Sequence, residues 1–424
     1  MNKLIITLLS GFLLCAPPAL AREQETPAFW QRQTANQTTI LLSPPALQNY
    51  QRQLIDGEPH TMVDLTALHW SYPGATLRQW VEEMDWPENV RFCNNQPYGG
   101  TNEKARLLPP DAFWQTEQRP FVQYGILTAN TNLRTFPTSD VYTTKPDGFD
   151  QLQETSLDLG EPIAILLEHP SRPWLYVQNY HYRGWIKSDT VARVPTRKNW
   201  LVWVQPAEHR MALQPQSNLS NGANLRMGAS LPVENGKVLL PQRDNRGQLT
   251  ALPLALPKAD CFASAPLPYT RQAIIQQALL YYNTPYGWGD SGDGVDCSGF
   301  VVRVFRSVGL SLPRNADEQE AAPGWKRPLS GKTTAERRQI LDTLPPGSLL
   351  HMDGHVMIYL GKSDGDYWII HAYTGHLETT TAGPVYRKTM RVAISPLTLQ
   401  RSNGVTFLDS LTSVRQWLPD DYSS

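Results

Sequence analysis

The stretch Tyr286-Gly287-Trp288-Gly289-Asp290, followed by Asp296-Cys297-Ser298-Gly299-Phe300, decides how this chain is read. Apolar residues at Phe300, Val301, Val304, Phe305 and Val308 recur at helical spacing, and Gly309 and Pro313 close the run. Asp296 stands where an N-cap belongs, which puts Cys297 in the first turn of that helix. Free N–H groups and the helix dipole favour an anion there, so the thiol pKa is expected to fall. A thiolate so placed is a competent nucleophile. A single cysteine at a helix start also occurs as a small buried hydrophobe, so the chemical reading needs a partner base.

That base is sought downstream. Residues 355–360 and 367–371 read as strands, joined by a turn at 361–366 rich in Gly, Asp and Ser. Counting back from the turn sets His355 opposite His371 to within a residue, with Cβ atoms about 5 Å apart. One imidazole can take the thiol proton, and the other can hold its ring and tautomer. A zinc site on Cys297, His355 and His371 is the weaker reading, because the short two-residue ligand spacing of common zinc sites is missing. His351 and His376 lack strand phase with the pair and read as solvated loop or edge residues. Tyr286 and Trp288 either line a cleft or pack the domain. Asp296 either only caps its helix or also meets a ligand.

The blocks YGWGD…DCSGFV, GHVMIYLG and IIHAY together resemble the NlpC family of papain-like bacterial cell-wall cysteine peptidases, over residues 268–424. The resemblance implies an α+β peptidase domain that cuts the amide between γ-D-glutamate and the diamino acid (diaminopimelate) of peptidoglycan stem peptides. It makes Cys297 the nucleophile, His355 the base and His371 the orienting residue. It further implies that Asp296 and Ser298 bind the free amine of the first L-alanine, and that Tyr286 and Trp288 line the cleft. No metal or organic cofactor is called for. Two departures from the family pattern bear on substrate detail. The segment Pro313-Arg314-Asn315-Ala316 lacks the hydroxyl pair often found after Pro-Arg, and the tryptophan motif ends Gly289-Asp290 instead of Gly-Gly. A wall-binding protein with a relic peptidase fold, or an amidase or acyltransferase on the same fold, are the competing functions.

At 424 residues the chain exceeds one ordinary domain. Residues 22–120 read as a mixed cap segment with short helices near 46–55 and 76–84. Short strands then follow at turn-punctuated intervals over 121–194, which suggests a small barrel. The order NLR…P, GEPIAIL, WLYVQ, GWI resembles a bacterial SH3 domain, with Trp174 and Trp185 in its core. A weaker β pattern over 197–257, with strands at 200–204, 225–228 and 237–240, reads as a second SH3-like copy. The expected fold is thus multidomain: an α+β papain-like peptidase domain preceded by one or two small SH3-like β-barrels and an N-terminal cap segment. This order resembles family members in which an SH3 domain walls off part of the cleft. Tyr142 is the residue expected to reach the site from that side.

The formal net charge of −1, without a long basic run, speaks against a nucleic-acid binder. Residues 1–21 read as a secretory signal: Lys3, an apolar stretch at 4–16, then Ala19-Leu20-Ala21 before cleavage near Arg22. An uncleaved membrane anchor is the alternative. Leu14 before Cys15 disfavours a lipid anchor, and no later segment carries the apolar run that spans a bilayer. A periplasmic or secreted location follows. In an oxidising compartment Cys93 and Cys261 could bridge, or remain as two unpaired thiols; either way Cys297 is left over.

Overall fold

The computed structural model describes residues 22–114, 121–257, 260–420 and 422. The expected signal at 1–21 lies outside the described residues. Among those described, no helix is long and apolar enough to cross a membrane.

The C-terminal unit is built on a six-stranded sheet, antiparallel throughout. Its order is Lys326–Pro328, Leu411–Arg415, Leu349–Met352, His355–Ser363, Asp366–Thr380, Gly383–Pro396. The central strand reads as an almost unbroken apolar run because both its faces are covered. Val356, Ile358 and Leu360 pack with Phe300, Val301 and Val304 of the helix Cys297–Ser307. Met357 and Tyr359 pack on the other face with Leu341, Phe407 and Leu408. The helix Arg271–Leu280 starts where the Thr270 hydroxyl accepts from the Ala273 amide, and it packs beside Cys297–Ser307. Gly309, at φ 89°, takes the left-handed conformation that ends the latter helix.

Upstream, seven strands form one antiparallel sheet in the order Val191–Val194, Gln123–Leu127, Pro162–Glu168, Trp174–Gln178, Arg183–Lys187, Thr131–Arg134, Gln153–Leu157. Leu127, Leu133, Ile163, Val177 and Ile186 fill its inside. Its other face, with Trp174, Tyr176 and Trp185, buries Leu77, Val81 and Trp86 of the preceding segment. That segment supplies the helices Pro44–Asp56 and Gly74–Glu82. Farther along, a five-stranded antiparallel sheet runs Leu249–Ala255, Lys237–Arg243, Ser230–Glu234, His209–Ala212, Phe262–Ala263. The expected strand at 200–204 is instead part of the helix Arg197–Val204. Trp and Val favour strands, but the Thr196 side chain caps the Asn199 amide, and Trp200 and Trp203, three residues apart, bury one helical face.

Buried ionic contacts tie these units together. Asp158, just past the last strand of the seven-stranded sheet, accepts from Arg226 Nε at 2.6 Å, Arg303 Nη1 at 3.2 Å and Arg306 Nη1 at 2.9 Å. Burial alone would raise the Asp158 carboxyl, but the three guanidiniums more than reverse this and hold it well below the usual range. Two of those arginines lie on the helix that begins with Cys297, so that helix is anchored to the upstream sheet. Cys93 and Cys261 are free thiols, so the expected possibility of a bridge between them is not realised.

Candidate active site

The helix Cys297–Ser307 begins as its sequence suggests. Asp296 is extended at φ −88°, and its Oδ1 accepts from the Gly299 amide at 2.7 Å. Gly299 sits so close to Asp290 that a Cβ would meet Oδ1 at 2.0 Å, which explains the glycine in the Cys-Ser-Gly-Phe run. Asp290, the departure from Gly-Gly, adopts φ 54°, a conformation Asp tolerates. It accepts from the Asp296 amide at 3.1 Å and pairs with Arg303 at 3.1 Å.

The segment that holds the other departure, Pro313 to Ala316, also has a local use. Arg314 grips Asp296 with Nη2 at 2.7 Å from Oδ2 and Nη1 at 3.1 Å from Oδ1, and donates to the Ser298 hydroxyl at 2.9 Å and to Thr155 at 2.7 Å. Asp296 also accepts from the Gly289 amide at 3.0 Å. Burial would raise its carboxyl, yet Arg314 lowers it overall. Asp296 is therefore a cap with its charge already met. Asn315 then caps the helix Ala316–Ala321.

His355 opens its strand. Its Nε2 lies 2.8 Å from Nδ1 of His371, and His371 Nε2 lies 2.8 Å from the Ser395 hydroxyl. The two rings are neighbours, but not by direct opposition. The turn is tighter than expected, with Ser363 paired to Asp366, and a bulge falls between Tyr359 and Gly361. From the pair Ile358↔Ile370, the register puts His371 two positions off from His355. An offset of two keeps both on one face, within diagonal reach. His371 is fully buried, stacked on Tyr373 at 4.0 Å. His351 is also fully buried, contrary to the solvated position expected, because sheet and helices cover its strand on both sides. His376 is half-buried, 3.3 Å from the Tyr373 hydroxyl.

Cys297 and His355 line one cavity of about 650 Å³, with Tyr286, Trp288, Asp296 and Ser298 on its walls. His371 stands behind His355. Cys297 is 8% exposed. Burial and then the Asp296 charge push its thiol up to about 12, against lowering by the Val356 amide and Arg314. The expected fall in thiol pKa is thus overturned: desolvation outweighs the helix start. Burial, followed by the Arg401 charge, pushes His355 down to about 4. Burial thus favours the neutral form of both groups.

The upstream sheet supplies one wall. Phe149 stacks on Trp288 at 5.6 Å and 19°, and touches Tyr286 at 5.6 Å. Trp288 Nε1 donates to the Gln153 carbonyl at 3.1 Å, and Gln153 Nε2 returns a bond to the Gly289 carbonyl at 3.1 Å. A Cβ on Gly289, which sits at φ 57°, would meet Gln153 at 2.7 Å. Glu154 also lines the cavity, held by the Thr135 and Tyr182 hydroxyls. Tyr142 does not reach the site. It is buried among Trp86 and Tyr98 and pairs with Cys93, because Arg134 and Asp150 bind the loop's backbone inward. Phe149, Gln153 and Glu154 were missed; no local pattern marks a residue that meets its partner more than 130 positions away. Among the described residues, no group of three or more His, Cys, Asp or Glu is arranged to hold a metal ion.

Comparison with known proteins agrees with this layout. Residues 283–394 match the NlpC/P60 family and residues 145–187 match the SH3 domain of SH3b1 type. The chain is similar to dipeptidyl-peptidase 6 of Lysinibacillus sphaericus, 25% identical over 274 residues, covering 60% of this chain and 93% of that protein. A shorter match, 44% identical over 54 residues, is to γ-D-glutamyl-L-lysine dipeptidyl-peptidase of Bacillus subtilis, covering 12% of this chain and 18% of that one. In fold it is similar to the solved NlpC/P60 endopeptidase from Photobacterium damselae subsp. piscicida, with TM-score 0.70 and 17% identity over 91% of this chain and 95% of that chain.

Proposed function

We propose that this chain, which belongs to the NlpC/P60 family and carries an SH3 domain ahead of its peptidase unit, cuts the γ-D-glutamyl–diamino acid amide of peptidoglycan stem peptides outside the cytoplasm. The observation that carries the reading is the shared cavity of Cys297 and His355, with His371 hydrogen-bonded behind the base. The names of the similar proteins, dipeptidyl- and γ-glutamyl peptidases, support the bond class.

Because burial favours the neutral form of both groups, attack and proton transfer go together. The Cys297 sulfur bonds to the γ-carbonyl carbon while its proton passes to His355. Amide N–H groups at the helix start, that of Cys297 included, hold the oxyanion. The C–N bond then breaks as His355 gives the proton to the leaving amine. Water, deprotonated by His355, cleaves the thioester and frees the thiol.

A free amine on the substrate meets carboxylates at the barrel wall. Asp296 and Ser298 line that end of the cavity, but Arg314 already balances Asp296. Among the described residues Glu154 has hydroxyl partners and no ion pair, so its carboxylate is the better match for an ammonium. Hydrolysis of L-Ala-γ-D-Glu-diaminopimelate, with and without an acetylated N-terminus, tests this. The free peptide should be cut faster by about tenfold or more, and Glu154→Gln should narrow the gap. Equal rates for both peptides would remove the amine role from Asp296, Ser298 and Glu154 together.

A further inference from the structure

Two guanidinium groups line the catalytic cavity. Arg314 is committed to Asp296. Arg401 forms no ion pair among the described residues; its Nη2 lies 3.5 Å from the Asp353 carbonyl, and the residue is only half-buried. Asp353 stands two residues before His355 and lines the same cavity, so Arg401 belongs to the base's side of it, whereas Gln153 and Glu154 form the wall given by the upstream sheet.

Chain direction follows from the chemistry. His355 delivers a proton to the departing nitrogen, so the diamino acid lies on the His355 side and the amino-terminal dipeptide on the other. The diamino acid's side chain then extends toward Asp353 and Arg401. Diaminopimelate ends that side chain in an ammonium and a carboxylate, whereas lysine ends it in an ammonium alone. An uncompensated guanidinium suits the first and repels the second. We propose that Arg401 reads the distal carboxylate of diaminopimelate and so selects peptides with that residue over those with lysine. This rests on the peptidase reading above.

The test compares kcat/KM for L-Ala-γ-D-Glu-meso-diaminopimelate and L-Ala-γ-D-Glu-L-Lys, using the wild-type chain and R401Q. The peptides share the glutamate and C-terminal carboxylates, so their ratio isolates the distal one. The wild type should favour the diaminopimelate peptide by about tenfold or more, since a polar site left unpaired rejects the analogue that lacks the group. R401Q should slow the diaminopimelate peptide far more than the lysine peptide and bring the ratio toward one. An equal loss on both peptides would assign Arg401 to a shared carboxylate or to His355, and overturn the proposal. So would a wild type that does not discriminate. A wild type that cuts neither peptide would instead remove the peptidase reading, and the role of Arg401 with it. R401Q should melt at the wild-type temperature, because Arg401 is half-buried, forms no ion pair among the described residues, and has only a long 3.5 Å contact to a carbonyl.

Discussion

His355 Nε2 and His371 Nδ1 stand 2.8 Å apart, and Ser395 holds the far nitrogen of His371 at the same distance. One proton arrangement of this chain leaves His355 a base. His355 donates from Nε2 to His371, His371 donates from Nε2 to Ser395, and the Nδ1 lone pair of His355 is free for the thiol proton. The reverse arrangement puts a proton on Nδ1 and disables the base.

His355→Ala should therefore lower kcat by about 10²–10⁴-fold, the usual worth of a positioned base. His371→Ala should cost less, and Ser395→Ala less again, since each acts through the ring before it. Steady-state kinetics of the three variants checks the order. A larger loss for His371→Ala than for His355→Ala would reverse their roles.

The pH profile follows from the burial of the pair. His355 must be neutral to accept a proton, and burial sets its pKa at about 4. Activity should hold flat through neutral pH and fall as pH drops through about 4. The Cys297 thiol, pushed up to about 12, should react with iodoacetamide more slowly at pH 6 than a small free thiol does. An acid limb centred near 6.5, or fast alkylation at pH 6, would mean a preformed thiolate–imidazolium pair.

Asp158 is the anion shared by Arg226, Arg303 and Arg306. Asp158→Asn leaves buried cations uncompensated and should destabilise the protein by about 3–5 kcal/mol, the cost of breaking a buried pair from one side. Urea unfolding followed by tryptophan fluorescence reads this. A change under about 1 kcal/mol would show that the ionic contacts between sheet and helix are dispensable.

The placing of Cys297 at a helix start behind its Asp296 cap, and of the two imidazoles beside each other, was legible because each sits inside a local pattern: Asp296 before a helical run, and His355 and His371 on strands flanking one turn. What the turn hid was register. The bulge before Gly361 and the tight Ser363–Asp366 closure together shift the pair by two positions, and an even shift preserves the face. The site's electrostatics were not legible, because helix position predicts a low thiol pKa while burial, a tertiary quantity, decides it. Trp200 misled through side-chain propensity, which the Thr196 cap overrides. Glu154 and Arg401 reach the cavity from separate parts of the chain, Phe149 backs its Trp288 wall, and their neighbours in sequence say nothing of where they end.

The central claim is that the Cys297 sulfur is the attacking atom. Cys297→Ala, incubated with L-Ala-γ-D-Glu-diaminopimelate and analysed by mass spectrometry for L-Ala-γ-D-Glu and free diaminopimelate, tests it most directly. The wild type should release both products, and the variant, with an unchanged circular dichroism spectrum, should release neither. Full turnover by the variant would contradict the cysteine mechanism.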